Sequence, residues 1–136
     1  MGDPLPDLSK HAPLVLSLLR IIAGLMLMQH GLQKHFDFPA PFPMGDLPAW
    51  SQLWIGGWLE IILGALVALG LFTRIAAFLA AGMMAVAYFQ FHAASSGFWP
   101  IVNQGELAAL YCWVFFYLVF SGPGSLSLDA VLRKRA

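Results

Sequence analysis

Seven polar side chains interrupt an apolar chain with types and spacings that could do chemistry: Arg20, His30, Lys34, Glu60, His92, Asn103 and Glu106. Glu60, His30 and Glu106 can exchange a proton, which makes them the catalytic candidates. Arg20, Lys34, His92 and Asn103 offer hydrogen bonds to a ligand and Trp113 offers a ring wall, which makes these the binding candidates. The stretch LMLMQHGLQKHF, Leu25 to Phe36, shows the pattern well, because membrane-grade sequence ends there in Gln29, His30, Gln33, Lys34 and His35. Glu60, inside IGGWLEIILGALVALGL, lies about eight residues into its apolar segment, or roughly 12 Å at the helical rise per residue. An ionised carboxylate at that depth is costly unless paired or protonated, so Glu60 is expected to face the protein interior.

Such groups need apolar rods to carry them. The chain has 136 residues, 60% of them hydrophobic and only 10% charged, which leaves too few polar residues to cover a water-soluble domain. Crossing a bilayer takes about 20 apolar residues, and the segments 14–33, 53–71, 75–94 and 104–121 approach that length. The expected architecture is an all-α membrane protein, a single four-helix transmembrane bundle spanning 1–136. An outer proline and aromatic loop would cover 35–52, and an interfacial segment would cover 125–136.

Lys10, Arg74, Arg133, Lys134 and Arg135 fall on one side of this arrangement and only Lys34 on the other, which predicts cytoplasmic N- and C-termini. The opening MGDPLPDLSKHAP is acidic and proline-bearing, unlike a cleavable signal, so the first helix is expected to be retained. A net charge of zero gives no reason to expect nucleic acid as a partner. Cys112 is the single cysteine and cannot form an internal disulfide, so redox work would lean on a bound cofactor or a partner.

Helical spacing sorts the polar residues by face. Arg20, Gly24, Leu27, Gly31 and Lys34 form one stripe of the first helix, with His30 beside it. Gly56, Glu60 and Gly64 share a face of the second, away from the mean direction of Trp50, Trp54 and Trp58, which are expected toward lipid. A long guanidinium stem would let Arg20 reach Glu60, either as a register-fixing ion pair or as part of a site. On the third helix Ala77, Ala81, Ala85, Tyr88 and His92 align, with Gln90 pointing elsewhere, and on the fourth Glu106, Leu110, Trp113 and Tyr117 do. His30, Lys34, His92, Asn103 and Glu106 thus come from helix ends at one outer level, above Glu60. They form either a polar pocket or a set of interfacial side chains, the second being the simpler expectation for Lys34 and His35 taken alone. Two histidines without a third ligand do not make a closed zinc site, so no metal is expected, and alanine-rich packing disfavours haem.

The combination of LRIIAGLMLMQHGLQK, GGWLEIILGALVALGLFTRIAA, NQGELAALY and FSGPGSLSLD resembles the DoxX family of small four-helix membrane proteins, from about Leu18 to Asp129. The resemblance implies recurrent polar residues at Arg20, His30, Lys34, Glu60, Arg74, Asn103, Glu106 and Asp129. The long outer loop departs from the compact family pattern. The resemblance also implies residence in a bacterial inner membrane and links to quinone-linked thiosulfate oxidation, to quinone and thiol stress, and to membrane oxidoreductase assemblies.

Two functions follow as expectations. In the first, the protein is a quinone-binding or accessory subunit of a membrane or extracytoplasmic oxidoreductase, without thiol chemistry of its own and with no covalent cofactor. In the second, it is a non-catalytic assembly protein whose buried charges specify packing and whose outer loop docks a partner. A permeation path would require a homo-oligomer, because one four-helix unit leaves little room for a pore.

Overall fold

The computed structural model describes residues 4–135, and among these all regular structure is helical. Helix α1 (Ala12–Phe36) carries a proline in its first turn, where the missing N–H costs nothing. Helix α2 (Gln52–Leu69) starts on Ser51, whose hydroxyl accepts the Trp54 N–H at 3.3 Å, and ends on Gly70 at φ 68°, a conformation that favours glycine. Helix α3 (Thr73–Ala87) continues through a π-helical segment, Tyr88–Ala93, into a last turn, Ala94–Ser96. A single turn at Pro100–Asn103 leads to α4 (Glu106–Ser121), and α5 (Leu128–Arg135) closes the described chain. The sequence places the start of the fourth helix near 104, but Gln104 turns left-handed at φ 59° and delays it to Glu106.

Three helical runs, Ser9–Phe36, Gln52–Leu69 and Thr73–Ser96, are long and apolar enough to cross a membrane, and α4 is a shorter apolar helix of 16 residues. Large apolar side chains such as Leu18, Phe78, Leu110 and Phe120 point outward, as a lipid-covered protein requires. The interior is built from small residues, Ala76, Ala77, Ala80 and Ala81, against Leu27, Val67, Phe115 and Leu118.

The bundle is two tight pairs, α1 with α2 and α3 with α4. Glycines set the first pair: a methyl group at Gly24 would stand 2.5 Å from the Ala68 nitrogen, and one at Gly64 would stand 2.6 Å from the Met28 nitrogen. Gly31 faces Gly57 in the same way. The expected contact glycine Gly56 instead faces open space, and its neighbour Gly57 packs on Lys34 and His35.

One end of the bundle, the tail end, is stitched by polar contacts. Arg20, 1% exposed, donates to the carbonyls of Pro123 and Leu126, the latter at 2.6 Å, and Ser17 accepts the Leu126 N–H at 2.9 Å. Asp129 accepts the N–H groups of Phe72 and Thr73, each at 2.9 Å, and so caps α3 from outside it. Burial opposes ionisation of Asp129, but these donors and the nearby Arg133 outweigh it and hold its carboxyl below the ordinary value of 3.8. Arg74 donates to the carbonyls of Val119 and Phe120 at the end of α4. The predicted reach of Arg20 to Glu60 does not occur, because its two terminal amino groups donate instead to the carbonyls of Pro123, Ala68 and Leu126.

Candidate functional site

The opposite end, the loop end, holds a cavity of about 480 Å3 between the two helix pairs. Leu27, His30, Lys34, Leu53 and Glu60 line it from α1 and α2, and Met84, Ala87, Phe91 and His92 from α3 and its π-helical extension. Leu107, Ala108 and Tyr111 close it from α4, beside Gln104, while Phe42 and Met44 of the loop roof it. The Asp37 carboxylate accepts the Phe42 N–H at 3.2 Å and Gln33 donates to the Pro41 carbonyl at 3.3 Å, which ties the roof to the end of α1.

Glu60 finds its partner in Lys34, whose Nζ lies 2.7 Å and 2.6 Å from the two carboxylate oxygens. The side chains of Lys34 and Glu60 are only 12% and 9% exposed, so the pair sits where charge is expensive alone and tolerable together. Side chains lean toward the N-terminus of their own helix. The two helices run antiparallel, so Lys34 leans inward from the loop end and Glu60 leans up to meet it. The same rule tilts Arg20 and Glu60 away from each other.

Besides the exposed Gln104, three other polar side chains face the cavity with hydrogen-bonding capacity. Tyr111, 5% exposed, has a buried hydroxyl with no hydrogen-bond partner among the described residues. His30 stands edge-on to the Tyr111 ring at 6.2 Å between centroids and likewise makes no hydrogen bond to a described residue. His92 donates from Nδ1 to the Asn103 carbonyl at 3.1 Å, an assignment forced by the carbonyl, and this leaves Nε2 of the neutral ring as an acceptor. The π-helical segment bears both Phe91 and His92 of the cavity lining, and such segments recur beside functional sites.

Of the residues singled out in the sequence, the cavity brings together His30, Lys34, Glu60 and His92. Asn103 is buried but serves the α3–α4 connection, donating to the Gly97 carbonyl and the Tyr88 hydroxyl and accepting the Gly105 N–H. Glu106 and Trp113 are exposed, together with Leu110 and Tyr117, because the inward face of α4 is instead Ala108, Tyr111, Phe115 and Leu118. Arg20 lies at the tail end. Tyr111 was not singled out by its spacing, since α4 is apolar on every side and its periodicity carries no contrast. Outside the cavity, His35 stacks on Trp58 at 4.4 Å and donates to the Trp54 carbonyl, in an aromatic box at the rim. Trp50 is exposed, and Trp54 is half-buried by the same box.

A second hollow of about 510 Å3 lies at the tail end around Arg74, Asp129 and Arg133. Arg74 and Asp129 already hold backbone groups there, so it reads as a structural joint. Among the described residues no group of three or more His, Cys, Asp or Glu is placed to hold a metal ion.

Comparison with known proteins finds relatives over most of the chain. A protein of Haemophilus influenzae, described as uncharacterized, is 44% identical over 132 residues, covering 95% of this chain and 98% of the relative. An uncharacterized membrane protein of Mycobacterium tuberculosis is 32% identical over 133 residues, covering 87% of this chain and 81% of the relative. No solved structure matches the chain. The DoxX family model matches residues 15–93, from the first helix to the end of the π-helical segment. With helices made for lipid and relatives of near-equal length, this chain is a membrane protein and belongs to the DoxX family.

Proposed function

We propose that the protein binds a quinone headgroup in the loop-end cavity and acts as the quinone-binding or accessory subunit of a membrane oxidoreductase. The observation that carries this reading is the Tyr111 hydroxyl, buried without a partner in the wall of a cavity that also presents His30, His92 and the Lys34–Glu60 pair. A buried hydroxyl left unpaired costs about 1–3 kcal/mol, which a ligand oxygen would recover. The volume and mixed lining fit a small-molecule site with few polar groups on apolar walls.

In this reading the Tyr111 hydroxyl and the His30 ring N–H donate to carbonyl oxygens, while His92 Nε2 and the Glu60 carboxylate accept hydroxyl protons. A bound quinone supplies a carrier of two electrons and two protons. Phe42 and Met44 cover the headgroup, and Lys34 orients Glu60 through both carboxylate oxygens. Electrons pass to or from a partner oxidoreductase, for Cys112 is the single thiol. In the proposed setting α4 is the fourth span, both termini are cytoplasmic and the membrane is the bacterial inner membrane.

The test is the amount of quinone retained by gently extracted protein. Tyr111→Phe is expected to lower retention about fivefold, one hydrogen bond near 1 kcal/mol, with no loss of thermal stability because an unpaired hydroxyl is removed. His30→Ala is expected to lower it as well. Unchanged retention in both variants, or none in the wild type, would leave the chain an assembly protein.

A further inference from the structure

A groove of about 540 Å3 opens on the other side of the Lys34–Glu60 pair, between α2 and α3. It adjoins the cavity, for Lys34, Leu53, Glu60, Met84, Ala87 and Phe91 line both. Beyond these shared residues its walls are Trp50, Ile55, Gly56, Leu59, Met83 and Val86, apolar or without a side chain, with Gln52 the one further polar residue. Ile55, Leu59 and Val86 are 43%, 42% and 52% exposed, so the groove opens sideways onto the surface that lipid covers. At the loop end Gln52 lines it beside Trp50, and the amides of Gln52 and Gln90 bond each other reciprocally at 2.7 and 2.8 Å, tying α2 to the π-helical segment. An occupant that follows these exposed apolar walls leaves along the helices toward the bilayer.

From this path we infer that the groove holds the isoprenoid tail of the quinone whose headgroup occupies the cavity, so that the ligand class is a long-chain lipid quinone. The inference rests on the proposed headgroup site and adds the exit path and the chain-length preference. A chain leaving the cavity must cross the pair, and Lys34 and Glu60 spend their charges on each other, which leaves the crossing electrically neutral. Gly56 is the gap in the wall: a Cβ built there meets nothing within 4 Å. A side chain at 56 would fill the groove without entering the cavity, whose lining does not include it.

Native mass spectrometry of the full chain in detergent micelles tests this, with a decaisoprenyl ubiquinone and the tail-less dimethoxy-methyl-benzoquinone as probes. The wild type is expected to prefer the long-chain probe at least tenfold. Gly56→Phe, and independently Val86→Trp from the opposite wall, should abolish that preference while tail-less binding stays unchanged. If the wild type binds both probes equally, or if both variants keep the preference, the tail assignment falls and the headgroup site stands. Phospholipid adducts that vanish in the two variants while the quinone preference persists would assign the groove to a lipid acyl chain and overturn the inference. Binding of neither probe by the wild type would overturn the headgroup site and the inference with it.

Discussion

Lys34 and Glu60 meet because two antiparallel helices aim their side chains toward each other's level, and the bond is made with both carboxylate oxygens. A buried pair broken on one side leaves a bare charge, a loss of about 3–5 kcal/mol, whereas replacing both partners by apolar residues is often neutral. Lys34→Met is therefore expected to lower thermal stability in detergent sharply, and Lys34→Met with Glu60→Leu to restore most of it. Additive losses in the double variant would mean that the two charges are not coupled. That Glu60 faces inward was legible from a carboxylate at depth. Its partner was not, because depth along the helix nominates Arg20 until side-chain direction is considered, and direction depends on which helices pair. Tyr111 was hidden for another reason: a tyrosine among apolar neighbours looks like core until the absence of a partner for its hydroxyl is visible.

Pro13 and Gly70 mark helix ends in the sequence and do so in the fold, and the inward stripe of α3 followed from its alanines Ala77 and Ala81. Two features of the elements did not. The π-helical segment Tyr88–Ala93 arises from a shift in backbone bonding that side-chain spacing does not announce, and α4, apolar all round, offers no contrast from which to choose its buried face. The tail is an element-scale device as well, since Asp129 supplies from α5 the cap that Phe72, the N-cap residue of α3, cannot give. Its carboxyl is held below 3.8, so its contribution to stability is fully present above that value and is lost as pH falls through the lower value of the folded state. Asp129→Asn should destabilise by about 1 kcal/mol at neutral pH, the modest end for a partly solvated charged acceptor. The deficit relative to wild type should shrink as unfolding is measured below pH 3.8. A deficit constant with pH would place the effect in packing and not in the charge.

At the scale of the molecule, Lys10, Arg74 and the Arg133–Arg135 tail gather at one end and Lys34 alone lies toward the other, already neutralised by Glu60. This asymmetry predicts a cytoplasmic tail end. In a Cys112→Ser background, Asp46→Cys in the loop should react with an impermeant maleimide in spheroplasts, and Ser125→Cys only after the inner membrane is permeabilised. The reverse pattern would invert the protein in the membrane. The architecture divides the labour, with a polar stitch closing the tail end and a roofed cavity at the loop end, so a ligand is expected in one place only. Photo-crosslinking with an azido-quinone, followed by peptide mapping, measures that place directly. The account predicts label confined to the peptides bearing His30, Lys34 and Tyr111, and reduced by Tyr111→Phe. Label spread over outward residues such as Leu18, Phe78 and Phe120, indifferent to that substitution, would contradict it.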